Sequence, residues 1–245
     1  MADTLVYEGS TEIQHYQVVD TIYEGRPARV LFSGQRGAAQ SGIATDDNPD
    51  LLFDYNQRYL ELIESRMPRR VLLIGGGAYT LPSALLKLFP SLHIDVVELD
   101  PGLDDIARRF FGLQSDPRLR IFHSDGRYYL EQSHNTYDAI LIDAFTHTTV
   151  PSALRDAEVP ALVSKRLTAH GVVAMNVISP FMGPNAGLIR ELTAYYQSVF
   201  PSVAIHPAGR TLFTLQLPQN LLLIASKDKG DSFQLRYGAL DQPAP

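Results

Sequence analysis

The spacing of apolar residues changes near residue 47 of the 245-residue chain. Before this point, two β-type runs, 16–23 and 28–32, are separated by the sequence EGRP, which is typical of a hairpin turn. After it, apolar residues recur at the three- and four-residue intervals of an amphipathic helix that begins near residue 49. We therefore predict an N-terminal β-hairpin region over residues 1–46.

Short apolar runs alternate with amphipathic stretches along the rest of the chain. Several runs are almost wholly apolar, as expected of strands that are covered on both faces. The alternation predicts a doubly wound α/β domain over 47–226 with right-handed crossovers, followed by a C-terminal tail over 227–245. The predicted strands are 71–74, 94–98, 119–123, 139–142, 172–177, 203–206 and 221–225. The predicted helices after the first are 80–89, 103–111, 126–133, 152–167 and 185–199.

Composition is that of an ordinary globular chain, with 45% hydrophobic and 20% charged residues. The net charge of −6 and the lack of a long basic run argue against a nucleic-acid partner. The chain has no cysteine, which excludes disulfides, thiolate zinc sites and cysteine nucleophiles. Its histidines show no metal-ligand spacing, so we expect no metal.

The termini and apolar runs predict a cytoplasmic protein without a membrane partner. The N-terminus lacks the basic flank and apolar stretch of a secretory signal. The longest aliphatic run, 221–225, is far too short to span a bilayer.

A candidate nucleotide site lies where a buried strand breaks into glycines at the start of a helix, in VLLIGGGAYT. Gly75, Gly76 and Gly77 let the backbone approach a ligand where a Cβ would collide, and with Ala78 they lead into a helix whose N–H groups attract negative charge. The dinucleotide fingerprint requires a small residue where this chain has Thr80, so the NAD pattern is only half met. A purely structural turn is the alternative.

Acidic residues follow the next strand ends. Glu98 and the adjoining Leu99 lie where a carboxylate accepts hydrogen bonds from ribose hydroxyls. Asp125 follows the third strand, where it either accepts from an adenine amine or caps the helix that begins at Gly126. Asp143 follows the fourth strand. Because the carboxyl ends of parallel strands share one edge of a sheet, these residues are expected to form one site.

The order of these motifs resembles the spermidine synthase (polyamine aminopropyltransferase) family, a branch of the S-adenosylmethionine-dependent methyltransferase fold. The motifs are IGGG, VELD, SDPRLRIFHSDGRYYL and YDAILIDAF, preceded by HYQVVD and LFSGQRGAAQSGI. The resemblance covers about residues 10–200. It implies a seven-stranded Rossmann-like sheet with a small N-terminal β domain. The family is often dimeric, so a homodimer is expected.

The resemblance also implies roles for individual residues. An adenosyl sulfonium ligand would be held at the ribose by Glu98 and near the adenine by Asp125. Asp143 would face the reacting centre, while Gln40 and Tyr59 would lie near the cleft.

Two positions depart from the family pattern. The family's GGGDGG turn here has Ala78 in place of the aspartate that faces the aminopropyl amine. Losing that anion removes a repulsion on the order of a few kcal/mol against a ligand carboxylate, and leaves backbone amides to receive it. The D-S-S/T-D-P motif keeps Asp143 but has Thr146 in place of the second aspartate, which helps hold the diamine. The adjacent His147 is a candidate base near neutral pH, or a surface residue.

These residues favour a transferase that binds S-adenosylmethionine or decarboxylated S-adenosylmethionine, with Asp143 and His147 as its catalytic residues. Methyl transfer to an unidentified small-molecule acceptor is the favoured reaction, because it needs little from the protein beyond alignment. One alternative is a divergent polyamine aminopropyltransferase that uses the decarboxylated compound. A non-catalytic binding or scaffold protein of the same fold and a nicotinamide enzyme are the others.

Overall fold

Two β-sheets organise the fold. The computed structural model describes residues 3–34, 38–46, 51–145, 149–209 and 215–233. The strands of the smaller sheet are β1 (Thr4–Ser10), β2 (His15–Tyr23), β3 (Arg26–Ser33) and β4 (Ala39–Ala44). They pair in sequence order, and every pair is antiparallel.

The small sheet contains the expected hairpin and two further strands. Glu24 and Gly25, which join β2 to β3, both have positive φ, as a two-residue hairpin turn requires. β4 has the sequence AQSGIA, whose small residues have weak strand preference, and this explains why the apolar pattern did not predict it. The N-terminal β region is confirmed, while its boundary at residue 46 stays a prediction.

The larger sheet has seven strands with helices on both faces, which confirms the predicted doubly wound α/β fold. Its strands are β5 (Arg70–Ile74), β6 (His93–Glu98), β7 (Leu119–His123), β8 (Tyr137–Ile142), β9 (Leu167–Ser179), β10 (Ser202–Pro207) and β11 (Gln219–Ser226). The helices are α1 (Asp54–Arg66), α2 (Thr80–Leu88), α3 (Leu103–Phe110), α4 (Gly126–Gln132), α5 (Val159–Arg166) and α6 (Gly187–Gln197). The strand order is β10-β11-β9-β8-β5-β6-β7, with β5 to β9 parallel and β11 antiparallel to both of its neighbours.

Two helices differ from the sequence pattern. The stretch predicted as one helix over 152–167 forms a 3-10 turn, Ser152–Leu154, and then α5. Pro160 lies in the first turn of α5, where the missing N–H costs nothing, so the proline starts this helix rather than continuing one. The first helix begins at Asp54, and its predicted start near residue 49 lies outside the described residues.

The core lies on both faces of the larger sheet. Leu72 and Leu73 are consecutive residues of β5, yet they pack into separate apolar clusters on opposite faces. Both are buried, as are most residues of β8 and β11. Within the described part of the chain, no helix is long and apolar enough to cross a membrane.

The described end of the chain packs against the larger domain. Phe233 is 5% exposed, and the guanidinium of Arg66 lies 5.4 Å from the centre of its ring. Arg66 also forms an ion pair with Asp231. The last turn of α1 therefore contacts the segment that follows β11 through an ion pair and a cation–π contact.

Asp100 connects the two sheets. It directly follows Glu98-Leu99 at the end of β6 and is 2% exposed. Its carboxylate accepts hydrogen bonds from the hydroxyls of Tyr16 at 3.0 Å and Thr11, both of which belong to the N-terminal region, and from the Gly102 amide at 2.9 Å. Burial and the neighbouring Asp100 raise the pKa of Tyr16 well above its usual range, so its phenol stays a donor. Because these donors satisfy its oxygens, the carboxylate is buried at a tolerable cost in free energy.

We expect Tyr16→Phe to lower the free energy of unfolding by about 1–3 kcal/mol, because it removes one donor from a buried carboxylate and keeps the ring. Urea denaturation measures the change. Tyr128→Phe is the matched control, since Tyr128 is 60% exposed. Equal stability of Tyr16→Phe and the unmodified protein would mean that Asp100 does not depend on this hydroxyl.

Candidate functional site

A cavity of about 520 Å³ lies at the carboxyl ends of the parallel strands, which is where ligands bind in open α/β sheets. The small sheet, the start of α1 and the ends of β9 and β11 complete its walls. The predicted site residues that line it are Gly75, Gly76, Gly77, Glu98, Leu99, Asp125, Gly126, Asp143 and Gln40. Ala78 is buried behind the glycine turn, and the predicted catalytic residue His147, like Thr146, lies outside the described residues.

The glycine turn brings backbone atoms into very close contact. Gly75 has φ +96°, and a Cβ at this position would lie 2.3 Å from the carbonyl oxygen of Asp143. Gly77 has φ +53°, and its Cβ would lie 2.5 Å from Oγ of Ser41. Both positions therefore require glycine for their conformation and for the space around them.

The amides of this turn already have acceptors within the protein. The Gly76 and Gly77 amides donate to Oε2 of Glu98 at 2.7 and 3.1 Å, and the Ala78 amide donates to Oγ of Ser41 at 2.9 Å. The expectation that the loss of the family aspartate frees these amides for a ligand carboxylate is therefore not met.

Glu98 is 8% exposed and is held by backbone donors. Besides the glycine turn, the Asp100 amide donates to its Oε1 at 2.9 Å. Burial raises the pKa of Glu98, and these hydrogen bonds oppose the rise. The Leu99 backbone also hydrogen-bonds to this carboxylate, so four backbone groups hold Glu98 at the edge of the cavity. Ribose binding by Glu98 stays a prediction that this geometry permits.

Asp125 caps α4, in agreement with the structural alternative. Its Oδ1 accepts from the Tyr128 amide at 3.0 Å, as expected of an N-cap. The residue also lines the cavity, so one carboxylate serves the helix while facing the space available to a ligand. Its contact with adenine stays a prediction.

Asp143 lies at the centre of the site with two neutral donors. Nδ2 of Asn176 donates to its Oδ1 at 2.9 Å, and the Tyr55 hydroxyl also hydrogen-bonds to it. Burial raises the pKa of Asp143 to about 6, although both hydrogen bonds act to lower it. A carboxyl group in this condition is ionised near neutral pH and still accepts a proton readily.

Tyr55, rather than Tyr59, reaches the cavity. The Tyr59 hydroxyl donates to the carbonyl of Ile142 at 2.8 Å, and the side chain is fully buried beneath the site. Tyr55 lies one turn earlier on the same face of α1 and lines the cavity. Because two tyrosines at this spacing share a face, the sequence alone did not distinguish them.

Sequence reasoning missed one wall of the cavity, which faces Asp143. This acidic and aromatic wall is formed by Tyr23, Glu24, Phe53, Asp54 and Tyr55. The ring of Phe53 stacks on Tyr55 at 5.7 Å and meets Tyr23 edge-on at 5.3 Å. Burial raises the pKa of Tyr23, and the charges of Glu24 and Asp54 raise it further. The sequence FDY at the start of α1 is the local pattern that marks this wall.

The described lining of the cavity is acidic. Its described lining contains no lysine, arginine or histidine. The carboxylates that line it are Glu24, Asp54, Glu98, Asp100, Asp125 and Asp143. Among the described residues, no three His, Cys, Asp or Glu side chains converge as metal ligands. Such a cavity concentrates small organic cations.

Comparisons with known proteins agree with the fold. The model of the spermine/spermidine synthase domain matches residues 60–228. A polyamine aminopropyltransferase of Vibrio vulnificus is 32% identical over 186 residues, which cover 73% of this chain and 60% of that protein. One of Agathobacter rectalis is 29% identical over 215 residues, 79% of this chain and 75% of that protein. The crystal structure of a probable spermidine synthase from Corynebacterium glutamicum superposes with a TM-score of 0.75 at 21% identity, over 92% of this chain and 81% of that one.

The pKa of Asp143 predicts a stability difference that depends on pH. Folding raises this pKa from the ordinary 3.8 to about 6, so between these values the folded state binds the proton more tightly than the unfolded chain. The contribution of Asp143 to stability therefore falls as pH rises through this window, and stays low above it.

We expect Asp143→Asn to abolish this decrease in stability with rising pH. At pH 7.5 its free energy of unfolding should exceed that of the unmodified protein by up to about 2 kcal/mol. Urea denaturation of both proteins at pH 4.5 and 7.5 measures the difference. Glu12→Gln, at an exposed residue, is the control. At each pH, the free energy of unfolding of the variant is compared with that of the unmodified protein. If this comparison is less favourable to the variant at pH 7.5 than at pH 4.5, the raised pKa of Asp143 is contradicted.

Proposed function

The chain belongs to the spermine/spermidine synthase domain family, and from this premise we propose that it is a polyamine aminopropyltransferase. The enzyme would transfer the aminopropyl group of decarboxylated S-adenosylmethionine to an amine. The charge of the cavity carries this proposal, because carboxylates line it and no cationic side chain is among its described lining residues. The sulfonium, the aminopropyl ammonium and a protonated polyamine are all cations that such a cavity favours.

The nucleoside part of the donor would occupy the end of the cavity at the glycine turn. Glu98 would accept from the ribose hydroxyls and Asp125 from the adenine amine, with Leu99, Gly126 and Gln40 around them. The carboxylate of intact S-adenosylmethionine would meet an acidic wall and a turn whose amides are already bonded to Glu98 and Ser41. This favours the decarboxylated compound, and hence aminopropyl transfer over methyl transfer.

The acceptor amine would enter along the aromatic and acidic wall. Glu24 and Asp54 attract its ammonium groups, and the faces of Tyr23 and Tyr55 bind cations favourably. Asn56 lines the same region and is 3% exposed, and its Oδ1 has no hydrogen-bond partner among the residues that the structure describes. A buried acceptor without a donor is costly, and an amine N–H would satisfy it.

Asp143 would act as the base. The acceptor binds through an ammonium at one end, and the neutral amine at its other end attacks the aminopropyl carbon next to the sulfonium with its nitrogen lone pair. The carbon–sulfur bond breaks with its electron pair going to sulfur, which leaves neutral methylthioadenosine. The attacking nitrogen loses a proton to the Asp143 carboxylate, which Asn176 and Tyr55 hold in place. The family's second aspartate is replaced by Thr146, so Asp143 carries this step without that residue.

Donor selectivity tests the proposal directly. We expect decarboxylated S-adenosylmethionine to bind at least about tenfold more tightly than S-adenosylmethionine in isothermal titration. The reason is that the carboxylates lining the cavity repel the carboxylate of S-adenosylmethionine. Mass spectrometry of reactions with 1,3-diaminopropane, putrescine and spermidine would show an acceptor heavier by one aminopropyl group. Preference for S-adenosylmethionine would instead support methyl transfer. Binding of neither compound would support a non-catalytic protein.

Removal of the base should affect turnover more than binding. We expect Asp143→Asn to lower kcat by about 10²–10⁴-fold while the Kd for the donor changes little, because the amide keeps the size but cannot accept the proton. In the unmodified enzyme, kcat should rise with pH as Asp143 ionises near pH 6. Steady-state kinetics with Glu12→Gln as the control measure both effects. Full activity of Asp143→Asn would exclude this residue as the base.

A further inference from the structure

A row of polar side chains crosses three apolar strands at the cavity. Asp143 follows β8, Asn176 lies in β9 and Asn220 lies in β11. Nδ2 of Asn220 donates to Oδ1 of Asn176 at 3.0 Å, and Nδ2 of Asn176 donates to Oδ1 of Asp143 at 2.9 Å. Every hydrogen bond in the row therefore points towards the carboxylate.

Strand register brings these residues together. Ile142 pairs with Met175, which places Asp143 beside Asn176. Leu222 pairs with Asn176, and Asn220 lies two residues from Leu222 on the same face of β11. Asn176 is 1% exposed and its neighbours in β9 are apolar, so a buried amide here needs a partner for each polar end.

We propose that Asn220 is a positioning residue for Asp143 and acts by fixing the orientation of the Asn176 amide. The two ends of an asparagine amide have nearly the same size but opposite polarity. With an N–H of Asn220 on its oxygen, Asn176 must present its own N–H to Asp143. Without that donor, the amide can rotate and place its oxygen against the carboxylate. Asn220 would thereby favour the ionised form of Asp143.

The two tyrosines beside Asp143 stay neutral near pH 7, so neither of them changes charge when Asp143 titrates. Among the described residues, the titratable side chains that face it are Tyr55 and Tyr59, both from α1, and burial raises the pKa of each phenol well above its usual range. Neither phenol ionises near neutral pH. A chain of hydrogen bonds that ends on a charge is also stronger than its separate members. The catalytic consequence rests on the proposed function, but the effect on Asp143 does not.

The pKa of Asp143 is the first readout, and it requires no substrate. Carbon-13 NMR of protein labelled at aspartate carboxyls measures it, with Asp143→Asn used for assignment. We expect Asn220→Leu, which keeps the branched shape of the side chain and removes the donor, to raise this pKa by about 0.5–1 unit. Asn220→Ala should give the same shift if the larger apolar side chain disturbs folding. Asn220→Gln, which keeps a donor, should restore most of the original value.

Asn135→Leu is the matched control and should leave the pKa of Asp143 unchanged, because Asn135 lies in the loop before β8, away from the row. An unchanged pKa in both Asn220→Leu and Asn220→Ala overturns the proposal, as does an equal shift in Asn135→Leu.

The pH profile of kcat is the second readout. In Asn220→Leu, the acidic limb should move to higher pH by the same amount as the NMR titration, while kcat at about pH 8.5 stays within about twofold. A loss of rate that is uniform with pH, or a rise in acceptor KM without a pKa shift, would contradict a positioning role. If the NMR shift occurs but the unmodified protein transfers no aminopropyl group, the proposed function fails and the inference about Asn220 stands.

Discussion

The burial of several carboxylates around one cavity is the constraint on which the rest of the structure depends. Three acids that line the cavity are held by neutral donors: Glu98 by backbone amides, Asp100 by hydroxyls and an amide, and Asp143 by Asn176 and Tyr55. Neutral donors make burial tolerable without cancelling the charge. The described lining of the cavity thus stays acidic, and the small sheet, the glycine turn and α1 each supply some of those donors.

This arrangement explains why one residue difference is a poor guide to the reaction. Ala78 removes an acid that the family has, and considered alone it favours a ligand that carries a carboxylate. In the folded protein, Ser41 from β4 takes the Ala78 amide and Glu98 takes the amides before it. The partner from β4 is 37 residues away in sequence, so the charge balance of the site is a property of the tertiary structure.

The features that local sequence specifies were predictable. The strands β5 to β8, the glycine turn and the acids at the strand ends follow from apolar runs and from glycine chemistry. Asn220 and Asn176 are different, because they lie 44 residues apart and meet only through the antiparallel pairing of β11 with β9. The choice of Tyr55 over Tyr59 similarly depends on where α1 begins against the sheet. Residues whose role is set by pairing or docking had no local pattern to mark them.

The close contact between Gly75 and the backbone of Asp143 sets the distance between the glycine turn and Asp143. It joins the turn where the nucleoside is proposed to rest to the residue proposed to take the proton, and it contains no side-chain atoms from Gly75. The distance between the glycine turn and Asp143 is thus set by backbone atoms. The wall built from Tyr23, Glu24 and Asp54 takes no part in this contact, so under the proposed function a different amine acceptor would require changes in that wall and none in the spacing between donor and base.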